Sequence, residues 1–416
     1  MKQKSVMQNL KDNKESFSSI VLSILVSIYI FTVLKYTSIM PIEDDYGAVL
    51  RFLNDYLNIE NTLDKFKLLF SQHMEHRIVF NRLVELLQFK VFGEVNFIYL
   101  TLFGNLGWLL IVYILWSYSK KNNFITLFSF MPIALMMLAF SHSSLMTWAM
   151  ASIQQYWQLL FSILTIFFLT HNRTYIAYTF MIIAIFTGGG GLALIPIVGL
   201  YYLVHRNWKQ LIVTLLLSIS VVYFYFIVLD FHKLSDSMSM LLVTFKHNYM
   251  LLFYYIFAFL GNFVEHTMEA IYVGGTFVLL FLIRAKTFFK QIPFIAWSIL
   301  FIFSIALLTG LSRSMFGPDQ AMSSRYSIYS VLLASFIYLA YLRVYTHSRV
   351  LLIMGLFIGS WVFVYSAIKR VPLFEYRSNM ANTALAHPNK RFAKDILLKS
   401  YNQGTFTKWK EKIELP

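Results

Sequence analysis

Apolar runs of 17–22 residues recur from one end of this 416-residue chain to the other. Each is long enough to cross a hydrocarbon layer of ~30 Å as a helix. Only helices and closed barrels satisfy their own backbone in that medium, and runs of this length select the helix. Composition agrees, with 58% hydrophobic and 13% charged residues, where soluble domains carry about 25% charged. The expectation is an all-α polytopic membrane protein with about ten or eleven transmembrane helices and almost no soluble domain.

The formal charge of +15 would suggest nucleic acid in a soluble protein. Here most Lys and Arg sit in short turns between apolar runs, at Lys120-Lys121, Arg173, Arg206, Arg284 and Arg349. There they anchor topology on anionic lipid, so the partner is the bilayer and nucleic acid is excluded. Cysteine is absent, which rules out disulfides, thiolate metal sites and a thiol nucleophile. The first apolar run follows sixteen polar residues and no small-residue cleavage site follows it, so it reads as a retained helix.

Residues 1–16 read as a cytoplasmic N-terminus and 17–368 as the transmembrane domain. The first crossing, about 17–40, leads into one long polar interval, 41–95, the large outer loop. Further crossings fall near 96–117, 124–140, 155–170, 211–229, 272–283, 292–309, 327–345 and 350–368. Two short apolar runs flank Gly188-Gly189-Gly190-Gly191, which marks a tight turn or a broken, re-entrant pair. A polar stretch covers 230–248, and 249–264 is expected to lie along or dip into the outer face. With the N-terminus inside, eleven crossings place a short tail, 369–416, outside, although it holds ten Lys/Arg against four Asp/Glu.

Nine of the twenty acidic residues lie in the first interval. Three stretches within it have helical apolar spacing, at Val49–Leu57, Leu63–Phe70 and Val79–Leu87, and are expected as interfacial helices facing lipid or the bundle. Glu43-Asp44-Asp45, directly after the first crossing, is the leading chemical constellation. Three adjacent carboxylates repel one another, so one should have a raised pKa or a cationic partner. Such a carboxylate can take a proton from an alcohol during group transfer, or it can simply cap the next helix.

The second constellation is His73, Glu75, His76 and Arg77, followed by Arg82. On a helix His73, His76 and Arg77 would share a face. Metal binding, phosphate or sugar binding, and a solvated interfacial helix all remain open, although the order is not His-Glu-x-x-His and no third ligand is assignable. Arg313 and Arg325 in the last outer loop, and Lys369-Arg370 at the start of the tail, suit a lipid-carrier phosphate or headgroup snorkelling.

The arrangement resembles the GT-C class of membrane glycosyltransferases that use polyprenyl-phosphate sugars. The likeness lies in Glu43-Asp44-Asp45 after the first helix, the first loop with interfacial helices, and the length and layout of the whole chain. It is greatest to the phage-borne, serotype-converting O-antigen glucosyltransferases, although the 48-residue tail is too short for the large periplasmic domain of many GT-C enzymes. The resemblance implies a bacterial inner-membrane enzyme with its active site facing the periplasm. It implies an undecaprenyl-phosphate hexose, foremost glucose, as donor and a hydroxyl of a lipid-linked O-antigen or surface polysaccharide repeat as acceptor. No cofactor is implied, and divalent-metal dependence is left open. A sugar-lipid flippase and a cytoplasmic-side sugar-lipid synthase are the further candidate partners. Asp44 takes the role of base, with Asp45 next and Glu43 beside them; Arg77, Arg82 and Arg325 are candidates for the donor phosphate on chemical grounds.

Two other functions fit a polytopic chain. An O-antigen polymerase would carry arginine-bearing loops later in the chain, whereas the largest loop here is the first and is acidic. A lipid or solute transporter would show repeated halves and broken helices at mid-membrane; the glycine run is the one such feature.

Overall fold

The structure is a computed structural model describing residues 2–122, 124–229, 231–232, 249–346, 348–383 and 385–408. Of the polar stretch 230–248, only Phe231 and His232 are among the described residues. Among the described residues the secondary structure is helical apart from a single hairpin, Gln72–His73 against His76–Arg77, and an isolated bridge between Ile42 and Ala386.

Among the described residues nine helices are long and apolar enough to cross a membrane. They are Asn13–Tyr36, Phe97–Lys121, Leu127–Met146, Ala149–Thr170, Trp208–Val228, Thr267–Gln291, Pro293–Phe316, Ser324–Val344 and Arg349–Ala381. The protein is therefore a multi-pass membrane protein. Three apolar helices, Thr174–Thr187, Gly189–Val204 and Met250–Gly261, fall short of the ~17 residues a crossing needs. The glycine run opens the second of these as a tight 3-10 turn over Gly189–Ala193. A Cβ on Gly189 would lie 2.6 Å from His76 Nδ1, so glycine is needed there for the imidazole to pack on the backbone.

Several boundaries differ from the sequence reading, among them 272–283, which extends to Thr267–Gln291, and 292–309, which extends to Phe316. The fourth crossing starts at Ala149 rather than near 155, because Ala149, Ala151 and Ser152 are small enough to be buried at its start although they carry little hydropathy. The last helix does not stop near 368; it continues to Thr383, past Lys369, Arg370 and Pro372, so the first third of the expected tail is helix.

The chain divides into two compact units. One comprises Met1–Lys35, Leu109–Ser143 and Val243–Pro372, and the other Tyr36–Trp108, Ser144–Leu242 and Leu373–Pro416. In the first, Met250–Gly261 packs on Thr267–Gln291 at Gly261 and Gly274. A Cβ at either would collide with the facing backbone, the small-residue contact typical of membrane helices.

The second unit contains the long loop. Tyr46, Val49, Leu50 and Leu53 of the loop form a core with Ile78, Phe97, Leu100, Met150 and Ile153, and with Ala393, Ile396, Leu397 and Phe406 from the chain's last part. Burial of a Leu or Ile side chain contributes about 1.5–3 kcal/mol, which holds the helix Lys390–Asn402 on the loop. Polar fastenings add to it. The Glu43 N–H donates to Ala386 O (2.7 Å) and the Val95 N–H to Thr405 O (2.8 Å). Buried Asn54 donates to Ser400 (2.8 Å) and accepts from Thr405 (2.7 Å), and Lys408 pairs with Glu94 at 2.9 Å.

The loop helix Val79–Phe92 is inverted relative to a helix on a soluble protein. Asn81, Arg82, Glu85 and Gln88 are buried, while Leu83, Leu87, Val91 and Phe92 are exposed. In water that arrangement would cost burial energy on both faces. It suits a helix whose outer side meets lipid.

Candidate functional site

The three carboxylates after the first crossing are separated by the backbone. Glu43 adopts a left-handed conformation (φ 48°) and is exposed. Its neighbour Asp45 is fully buried. The Ile42 N–H donates to Asp45 Oδ2 (3.2 Å) and the Met150 N–H to Oδ1 (2.9 Å). Asp45 therefore does not cap the turn that follows it; it places its carboxyl at the N-terminus of the helix starting at Ala149, where a negative charge is favoured. Asp44 lies between them and lines a cavity of ≈ 360 Å³, within the size range of small-ligand sites.

The segment expected as a helix through His73, His76 and Arg77 is instead the hairpin. Met74, at its turn, has φ 49°, and His73 pairs with His76 across the strands. A helix is ruled out because both ends of the hairpin are tied to other segments. Gln72 exchanges two hydrogen bonds with the His232 backbone (2.7 and 2.8 Å). Arg77 is fully buried and donates to Phe70 O (2.7 Å), Leu229 O (2.8 Å) and Tyr225 O (2.9 Å). Its guanidinium also stacks on Tyr225 and Phe231. Arg77 is thus a clamp between the loop and the end of the helix Trp208–Val228, and it does not line the cavity. Where the sequence reading placed a ligand phosphate, the structure shows three backbone carbonyls.

Arg82 does reach the cavity. Its Nη1 donates to Leu68 O (2.8 Å), Leu69 O (2.8 Å) and Ser71 O (2.7 Å), capping the C-terminal end of the helix Thr62–Leu69, where a cation is favoured. The guanidinium stacks on Phe52, and its Nε is buried without a hydrogen-bond partner among the described residues. His73 Nε2 is likewise buried without one, and burial holds this imidazole below its usual pKa, against the attraction of Asp44.

The cavity wall mixes acids, bases and rings. Asp44 and Asp55, Arg51 and Arg82, His73 and His387, Gln72, and the rings of Phe52 and Phe392 all contribute. Arg51 and Asp55 pair at 3.6 Å. Such a lining offers both donors and acceptors beside flat apolar faces, and this combination suits a polyhydroxylated ligand. Glu75 and His76 belong to the hairpin but not to the lining. Arg313, Arg325, Lys369 and Arg370 belong to the other unit. There Arg370 pairs with Glu265 at 3.0 Å, Lys369 lies over Tyr365 and Arg325 over Tyr326. Among the described residues no group of three or more His, Asp or Glu is placed to hold a metal ion.

Sequence reasoning missed Arg51, Asp55, His387 and Phe392. Arg51 and Asp55 have the i,i+4 spacing of a helical ion pair. His387 and Phe392 flank Asn389, an N-cap residue directly before an amphipathic run.

Asp45 carries a testable pH dependence. Burial is the main cause, with the nearby Asp44 and Glu43 charges adding to it against the two N–H bonds, and its pKa rises from 3.8 to about 7. Burial pushes Glu85 upward too, against the attraction of Arg82. Folded protein therefore holds protons that the unfolded chain has released above pH ~4, so this contribution to stability fades as pH rises from about 4 to 7. Asp45 should lower the melting temperature of purified protein across that window, and Asp45→Asn should remove that part of the pH dependence. An unchanged slope in Asp45→Asn would show that Asp45 does not bind the proton.

Comparison with family models, with curated proteins and with solved structures found no match.

Proposed function

We propose that this protein is a membrane glycosyltransferase of GT-C-like design. It transfers a hexose from an undecaprenyl-phosphate sugar to a hydroxyl of a lipid-linked O-antigen or surface polysaccharide repeat, with glucose the first donor to test. The observation carrying this reading is Asp44, a carboxylate at the emergence of the first crossing helix, on the wall of a cavity lined by both hydrogen-bonding groups and aromatic rings. Asp44 removes the proton from the acceptor hydroxyl as that oxygen bonds to the anomeric carbon. The bond from the anomeric carbon to the phosphate oxygen breaks with inversion, and undecaprenyl phosphate leaves with the electron pair. Arg82, which lines the cavity, is the cation available to the phosphate.

Glycan analysis of the host surface polysaccharide, with and without the gene, tests the reading. One added hexose per repeat supports it. A changed chain length would instead indicate polymerisation, and an unchanged glycan overturns it.

The same reading puts the site on the periplasmic face of the inner membrane. Loop and tail share one unit and are hydrogen-bonded together, so they lie on one side. Eight of the nine long helices fall between them, an even number, which requires that the glycine-turn pair and Met250–Gly261 make no net crossing. Basic turns at Lys120, Arg173, Arg206, Arg284 and Arg349 then lie in the cytoplasm, as the positive-inside rule favours. Alkaline phosphatase fused after residue 60 or residue 400 should be active in both cases. Opposite signals from the two would break this topology.

A further inference from the structure

We infer that the C-terminal segment 385–408 is a working wall of the cavity, in which His387 donates a hydrogen bond from Nε2 to an oxygen of the bound sugar. This rests on the reading of the cavity as a sugar site. The ring is oriented by its neighbours. The Asn389 N–H donates to His387 Nδ1 at 3.0 Å. Nδ1 also lies 3.0 Å from the Asn389 carbonyl oxygen; in the tautomer that accepts from the N–H, the neutral imidazole carries its proton on Nε2. The ring also meets Tyr46 edge-on (5.5 Å, 70°) and packs on Phe392 (5.1 Å).

Asn389 has a second task. Its Oδ1 accepts from the Phe392 N–H at 3.0 Å, starting the helix that brings the Phe392 ring to the cavity wall. One residue thereby fixes both the donor and the flat apolar face beside it. The bridge between Glu43 and Ala386 (2.7 Å) ties this pair to the turn that carries Asp44. Donor, ring and carboxylate are held by one short stretch of backbone, the arrangement a positioned sugar requires.

The probe is glucose 1-phosphate, a soluble fragment carrying both a hexose and a phosphate, with binding to full-length purified protein read by saturation-transfer NMR. Gly47 locates the signal: a Cβ there meets only ordinary contacts, His73 at 3.8 Å and Phe392 at 3.9 Å, so Gly47→Leu fills the cavity and should abolish binding. His387→Phe keeps the ring packing but removes the donor, and should weaken binding roughly three- to tenfold, as expected for one hydrogen bond. His387→Gln restores an N–H near the same place and should recover most of the affinity. Lys399→Ala, exposed on the same helix, should change nothing.

Three results overturn the inference: no binding by the unmodified protein, binding that survives Gly47→Leu, or full affinity in His387→Phe. Transfer is a separate readout. Should Asp44→Asn still transfer sugar, the proposed base is lost while the binding result stands.

Discussion

Asp44→Asn is expected to lower sugar transfer by roughly 10²–10⁴-fold while the protein still inserts and stays folded, since that is the usual range for a general base. The corresponding barrier change is about 2.7–5.5 kcal/mol. Asparagine keeps the size of the side chain and removes only the basic oxygen. The backbone turn at Asp44 depends on its carbonyl, which accepts from the N–H groups of Gly47 (3.0 Å) and Ala48 (2.7 Å), and the substitution leaves that carbonyl in place. Asp45→Asn should behave differently. It puts an amide where two backbone N–H groups need acceptors, so less folded protein is recovered, but each folded molecule keeps more than about a tenth of its transfer rate. Rates normalised to folded protein separate the two. Should both variants retain more than that tenth, the carboxylate-base mechanism is wrong.

Arg77→Gln should be the most damaging change to folding in the long loop. It strips donors from Phe70, Tyr225 and Leu229 carbonyls, each costing about 1–3 kcal/mol when left buried and unpaired. A total above about 4 kcal/mol is expected, enough to unfold a marginally stable unit. Detergent-solubilised Arg77→Gln should lose its monodisperse peak in size-exclusion chromatography. A monodisperse, normally melting variant that fails only in donor use would restore Arg77 as a ligand contact. Arg82 differs, because it lines the cavity whereas Arg77 does not.

The membrane class and most crossings were legible because apolar run length is a direct physical requirement of the bilayer. The acidic turn and the first loop were legible as places where polar groups concentrate. What the sequence could not show was which carboxylate is enclosed. Asp44 and Asp45 are chemically identical neighbours, and only the approach of Met150, 105 positions away, makes one a structural pin and leaves the other at the cavity. The carbonyl partners of Arg77 were hidden for a similar reason. A buried arginine and a ligand arginine look the same until the carbonyls around them are known. The inverted faces of Val79–Phe92 also defeat apolar periodicity, which gives the stripe but not whether it points to protein or to lipid.

The bond between Glu43 and Ala386 joins residues far apart in the sequence, made early and late. Every crossing helix emerges from the ribosome before the residues that complete the cavity. The Asp44 turn, made early, must therefore wait with its partner backbone missing until Ala386 is translated. A transcript cut short before residue 385 would yield a chain with all nine long helices and no finished site. Assembly of the pocket thus requires synthesis past these residues, and products that stop before them should be inserted but inert.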